Sequence, residues 1–335
     1  MVSDKRIFGY DLLKALAAFF VVLYHVDLVN LVDLGYREGV YYYPSFIQVL
    51  GLFCACGVPL FFMVNGALTV GKHYDLKKTT VKVGRLLFVG VFWGVIAMCV
   101  KAYCKQDMSC FSPKMLLYYW FLYTLAMMYV VNYLLGIAPR WCRWVVVGAL
   151  LIIPFTTNLF WDMVMLINPD ISLPAWGHVG LFTFYGLVYL YAGDFFAHHD
   201  SRKWVIWLCG IVGLSLLALE ATAVVNYMHR AFEGGNYCFP TWGALLLSIA
   251  LFAGLKDSEI HVPWIRKFVE FLGNNILGIY IIHFLLMLIL GRFLHFSFGN
   301  IHLMFVIMIA IGFMVVSAVV SELLRRTPLA FLLKL

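Results

Sequence analysis

Three ionisable side chains fall inside the first apolar stretch of the chain: Asp11, Lys14 and His25, in DLLKALAAFFVVLYH. A titratable group in a lipid-spanning segment is costly to keep there, so such residues are the first place to look for chemistry. On a helix the step from Lys14 to His25 is about three turns with about 20° of offset, which sets the two on one face about 16 Å apart. Asp11 shares that face one turn before Lys14. Ala18, Val21 and Val22 lie between them, small or β-branched residues that would wall a narrow path with a polar group at each end, suited to an elongated ligand. The competing reading is structural: Asp11 and Lys14 pair near one interface, and His25 bonds a backbone carbonyl near the other.

A second intramembrane imidazole, His283, lies in NNILGIYIIHFLL with Tyr280 on its face three positions earlier. His25 and His283 stand at similar distances from the cytoplasmic ends of their helices, so the spacing predicts similar depths, at about 1.5 Å per residue. An imidazole accepts a proton near neutral pH, which is what activating a hydroxyl requires. Between the second and third apolar runs lies a basic stretch that includes Lys78, Lys82 and Arg85. Such a cluster can hold phosphates, or it can serve topology and lipid contact. Asn65, in FFMVNG, has hydrogen bonds that lipid cannot meet and is expected to face another helix. Asp162, Asp170 and His178, with Trp161 and Trp176, could bind a polar ligand or, in the case of the tryptophans, anchor an interface. Glu220 has no partner assignable from sequence.

These residues must be held by membrane helices. Of 335 residues, 64% are hydrophobic and 12% charged, against roughly half and a quarter in ordinary soluble domains. A bilayer core needs about 20 apolar residues per helix, and apolar spans are predicted near residues 7–28, 45–70, 84–103, 114–136, 144–161, 178–197, 203–223, 237–255, 267–290 and 301–324. The expected fold is an all-α, polytopic integral membrane bundle of about ten helices, with residues 1–335 one transmembrane domain and no separate soluble one. With the N-terminus cytoplasmic, 17 of the 24 lysines and arginines fall on inside segments. The positive-inside rule thus gives an even number of spans and both termini in the cytoplasm. The net charge of +7 is read as topology and not as a nucleic-acid surface. No cleavage site follows the first run, so it is expected to be retained, with the mature chain starting near Met1. The eight cysteines show no metal-ligand spacing, and a Cys104–Cys110 disulfide in an outer loop is left open.

Four segments together resemble acyltransferase family 3, the bacterial membrane proteins that acylate sugars of surface polysaccharides and envelope glycans. The first helix from Arg6 through His25 is similar to the family's opening acid–base–histidine motif. GVPLFFMVNGALT, from Gly57 to Thr69, resembles its second-helix motif. YYWFLYTLAMMYV, around Trp120, resembles its aromatic fourth helix, and LGNNILGIYIIHFLL, from Leu272 to Leu286, its penultimate helix. Lys14 stands where the family usually has arginine, keeping the charge without the planar fork, and Asn65 stands where serine is common. The length leaves no room for the extracellular hydrolase-like domain of some relatives.

The resemblance implies a cytoplasmic acyl-coenzyme A donor, acetyl-CoA or another, as substrate with no permanently bound cofactor. It also implies an envelope glycan or lipid-linked sugar as acceptor, and the bacterial inner membrane as location. Under it, Arg85, Lys82, Lys78 and Asn65 would hold the donor, and Asp11 and Lys14 would steady its arm. His25 would act as base or as the site of an acyl-imidazole, and His283, Tyr280 and Trp120 would serve acceptor or oxyanion. No metal is required. Membrane lipids are expected partners, nucleic acid is not, and homo-oligomers are compatible. The alternative from the residues alone is a proton-coupled transporter or flippase of an amphipathic substrate; a membrane scaffold would leave the Asp11, Lys14 and His25 cluster without a use.

Overall fold

In lipid, where no water reaches the backbone, a chain this apolar satisfies its peptide groups by coiling. In the computed structural model, which describes residues 6–38, 54, 56–71, 75–105, 116, 118–168, 184–228, 240–293 and 303–333, all described regular elements are helical. They are α1 (Phe8–Glu38), α2 (Gly57–Thr69), α3 (Leu76–Lys105), α4 (Trp120–Ile137), α5 (Arg140–Ile167), α6 (Gly186–His198), α7 (Lys203–Met228), α8 (Trp242–Leu255), α9 (Pro263–Asn274), α10 (Ile276–Phe293) and α11 (Leu303–Arg325). A short 3₁₀ segment, Pro328–Leu332, follows.

Six of the described helices, α1, α3, α4, α5, α7 and α11, are long and apolar enough to cross a bilayer, and α9 with α10 is a bent pair that counts as a seventh if the two form one span. α2 and α8 are shorter apolar helices. The protein is therefore a helical, multi-pass membrane bundle. Each of the ten expected spans overlaps a described helix, with parts of 45–70, 114–136, 178–197, 237–255 and 301–324 outside the described residues, and the ninth, expected as one span over 267–290, is broken. The break falls in Gly273-Asn274-Asn275, residues of low helix propensity. Asn275 begins α10 by accepting from Ile279 N (2.8 Å). Its side chain accepts from Ser321 Oγ (2.8 Å) and donates to Glu322 Oε2 (3.4 Å) on α11.

The chain divides into two units. The first comprises the residues up to Phe20, 43–72 and 139–274. Within it α2 packs on α6, and α7 on α8, with small residues at the crossings. A Cβ on Gly66 would meet the Leu190 carbonyl, and one on Gly193 the Met63 carbonyl. Such reciprocal backbone approach is how membrane helices gain contact without a hydrophobic driving force between them. Lys256 is buried in this unit, where Nζ donates to His199 O (3.4 Å) and pairs with Asp200 (3.5 Å) and Asp257 (3.6 Å). Exposed Trp141 and Trp144 on α5 and Trp204 and Trp207 on α7 stand beside Arg140, Arg143, Arg202 and Lys203, as expected of aromatic anchors at an interface.

The second unit comprises Val21–Tyr42, 73–138 and 275–335. In it α3 packs on α4 and α10, α10 on α11, and the 3₁₀ segment on α11. Gly278 of α10 leaves the space that Ser321 of α11 fills.

Replacing Gly193 by valine should destabilise the first unit by about 1–3 kcal/mol through overpacking. Gly148→Ala, at a position with nothing within 4 Å of a built Cβ, should leave stability unchanged. Thermal unfolding in detergent compares the two.

Candidate active site

In the second unit the two imidazoles meet. His283 is 1% exposed, and its ring centroid lies 5.1 Å from that of the half-buried His25. Each ring is tied to its own helix: His25 Nδ1 lies 2.8 Å from Val21 O and His283 Nδ1 lies 2.8 Å from Ile279 O. A carbonyl oxygen only accepts, so both Nδ1 atoms carry hydrogen. His283 Nε2 stands 3.4 Å from His25 Nδ1, and it is then the acceptor of a donor forked between it and Val21 O. His25 Nε2, with no hydrogen-bond partner among the described residues, keeps a lone pair. A neutral imidazole with Nδ1–H anchored and Nε2 open is the form a general base requires.

Aromatic rings enclose the pair. Tyr24 stands edge-on to His25, with centroids 5.7 Å apart, and Tyr280 lies 6.2 Å from His283. The Tyr280 hydroxyl is buried beside the backbone amide of Phe121. The rings that hold Tyr280 are Phe121 (5.3 Å) and Tyr119 (6.1 Å), which flank Trp120 in sequence. Tyr119 also donates to Ile281 O (3.3 Å), fixing the start of α4 against α10. Sequence reasoning named Trp120 and missed its two neighbours. Three adjacent aromatic residues at a helix start carry no periodicity that says which of them turns inward.

The expected donor-binding residues are dispersed. Lys82 places Nζ over the Tyr129 ring, 4.0 Å from the centroid, a cation–π contact on α4. Arg85 donates from NH2 to Phe331 O (2.7 Å) in the C-terminal 3₁₀ segment, where Phe88 stacks on Phe331 (6.3 Å). Lys78 is exposed one to two turns earlier on α3. Asn65 belongs to the first unit. Its Nδ2 donates to Phe61 O (2.9 Å) and its backbone carbonyl accepts from Thr69 Oγ1 (2.6 Å), both on its own helix.

Asp11 and Lys14 do pair. Asp11, 3% exposed, accepts from Lys14 Nζ (3.0 Å) and from Arg6 Nε, while Arg6 NH2 also donates to Glu270 O (2.8 Å) on α9. A Cβ on Gly273 would lie 2.6 Å from Asp11 Oδ1, so a glycine is what lets the carboxylate seat there. Arg6 was not singled out from sequence because it precedes the apolar run and reads as an ordinary inside charge. In the first unit, buried Glu220 accepts from Gly243 N (3.4 Å) at the start of α8. That start is also capped by Thr241 Oγ1, which accepts from Ala244 N (3.2 Å). Asp170, Trp176, His178, the Asp162 side chain and Cys110 lie outside the described residues. Among the described residues there is no group of three or more His, Cys, Asp or Glu able to hold a metal.

Fold and site together define a multi-pass membrane protein with a pair of histidines held among its helices. A family model described as an acyltransferase domain matches residues 7–322, and the chain belongs to acyltransferase family 3. No curated protein and no solved structure matches it. The protein is accordingly a membrane acyltransferase.

Asp11→Ala should lower stability in detergent by about 1–3 kcal/mol, because Arg6 and Lys14 lose their common acceptor in a partly dry site. Unfolding followed by tryptophan fluorescence checks it.

Proposed function

We propose that the protein transfers an acyl group, acetyl in the simplest case, from cytoplasmic acyl-CoA to a sugar hydroxyl of a cell-surface polysaccharide or lipid-linked envelope glycan. The observation that carries the reading is that His25 Nδ1 lies 2.8 Å from Val21 O, which assigns the hydrogen to Nδ1 and the lone pair to Nε2. In the proposed step the acceptor O–H gives its proton to His25 Nε2, and the acceptor oxygen bonds the thioester carbonyl carbon. The C–S bond then breaks, and the departing thiolate takes the proton back. His25 acts as general base, contributing about 10²–10⁴-fold in such a role.

Arg85 and the nearby Lys78 and Lys82 face the donor's phosphates in this account. Arg85 spends one NH2 hydrogen on Phe331 O and keeps further donors of its five for an anion. Asn65 is retained as a proposed donor contact on α2, its Nδ2 bonded to Phe61 O. Asp11, Lys14 and Arg6 anchor the start of α1 against α9 within the first unit. Tyr280, supported by Tyr119 and Phe121, is the residue proposed to meet the developing oxyanion. Trp120, beginning α4 between those two rings, is kept as an acceptor contact, since indole faces commonly stack on sugars' apolar sides.

The distribution of lysine and arginine supports an orientation with both termini in the cytoplasm, and the family's bacterial members support the inner membrane as its location. The exposed tryptophans at the starts of α5 and α7 fit the cytoplasmic interface of that orientation. Membrane lipids surround the protein, and a homo-oligomer remains compatible with it.

Purified protein in vesicles, given acetyl-CoA labelled in the acetyl group and an envelope glycan fraction, should leave label on the glycan. His25→Ala should lose about 100-fold or more of that rate while remaining folded; full transfer by that variant would remove the proposed role. Arg85→Ala should raise KM for the donor about 10-fold with kcat little changed, as loss of a phosphate contact worth about 1.4 kcal/mol would, read from initial rates against donor concentration.

A further inference from the structure

We infer that His283 is a positioning residue for His25, holding it in the Nδ1–H form and stabilising the imidazolium that forms on it; this rests on the reading of His25 as the base. The sequence assigns His283 to the acceptor, but neither of its ring nitrogens is open to one. Nδ1–H is given to Ile279 O (2.8 Å), and Nε2, the lone-pair nitrogen, faces His25 Nδ1 (3.4 Å).

The consequence for His25 is a choice between tautomers. With hydrogen on Nδ1, the ring satisfies two acceptors at once, Val21 O and His283 Nε2. With hydrogen on Nε2, the Nδ1 lone pair would point at two other lone pairs inside a helix bundle, where unpaired acceptors are penalised. His283 thus adds to the bias that Val21 begins, and it keeps the lone pair of His25 on Nε2. When His25 takes up the acceptor's proton, the positive ring still presents Nδ1–H to a lone pair, and that bond strengthens as charge develops.

An imidazole suits this place better than a carboxylate. An acid there would be a buried charge in a low-dielectric span before any proton moved, whereas a neutral ring offers a lone pair with no net charge. Its own orientation is fixed by the bond to Ile279 O and by Tyr280, 6.2 Å away on the same face.

The test uses the full chain in nanodiscs with His283→Gln and His283→Phe. Glutamine can place a carbonyl acceptor near the position of Nε2, whereas phenylalanine fills the space and accepts nothing. Phenylalanine should lower kcat by about 10- to 100-fold, with KM for donor and acceptor within about twofold, and glutamine should restore most of the loss. Nitrogen-15 NMR of histidine-labelled protein should show His25 in the Nδ1–H form in the wild type and shifted toward a mixture in His283→Phe. An unchanged kcat in that variant overturns the inference. So does a raised acceptor KM with the His25 tautomer unchanged, which would return His283 to the acceptor. A wild-type His25 with hydrogen on Nε2 overturns it without any variant. If the wild type transfers no acyl group, the proposed reaction falls, and the tautomer comparison alone still decides whether His283 orients His25.

Discussion

An imidazole N–H in a lipid-spanning helix must find an acceptor, and the nearest one is the carbonyl one turn back on its own helix. That constraint organises the second unit. Both His25 and His283 give their Nδ1 hydrogens to the carbonyl four residues earlier, and each bond fixes a ring orientation, a tautomer and the direction of the remaining nitrogen. From there the pair, the open Nε2 and the rings of Tyr24, Tyr280, Tyr119 and Phe121 follow as packing around two fixed points. An acid in either place would carry the cost of buried charge that a neutral imidazole avoids.

The same economy governs the charges. Asp11 is deeply buried yet meets two cations and a glycine that makes room for it; Lys256 is buried yet meets a carbonyl and two carboxylates. Glu220 closes the start of α8 with Thr241 and Gly243. These groups hold helices to one another or to their own termini. His25 differs from them, because a nitrogen able to accept a proton is left open on a half-buried ring.

Much of this was legible in the chain. The spans follow from apolar length, and the Asp11–Lys14 pair follows from their spacing of three. The histidines' similar depth follows from counting turns. That His25 would bond a backbone carbonyl is one of its two readings from sequence; that it would do so and still reach the other imidazole is not, because the alternatives look exclusive. A forked donor makes them compatible. The break at Gly273–Asn275 was hidden by the strongly apolar run that follows it, although the helix before it mixes apolar residues with Arg266, Lys267 and Glu270. Arg85's bond to Phe331 joins positions 246 residues apart, and no local pattern announces it. Asn65 bonds Phe61 O through Nδ2, a local contact that its expected approach to another helix does not exclude. Phe121 and Tyr119 could have been flagged only by knowing which face of α4 meets α10.

The central claim is that the protein performs chemistry on an acyl group and does not merely move a solute. It is tested most directly by following free coenzyme A thiol in sealed proteoliposomes supplied with acetyl-CoA or succinyl-CoA, with and without a glycan acceptor, at zero proton gradient. The account predicts thiol release that depends on the acceptor, matched by acyl groups on the glycan, and indifferent to collapse of any gradient. Unmodified glycan or lipid-linked sugar crossing the bilayer in response to a proton gradient, with no thiol released, would contradict it.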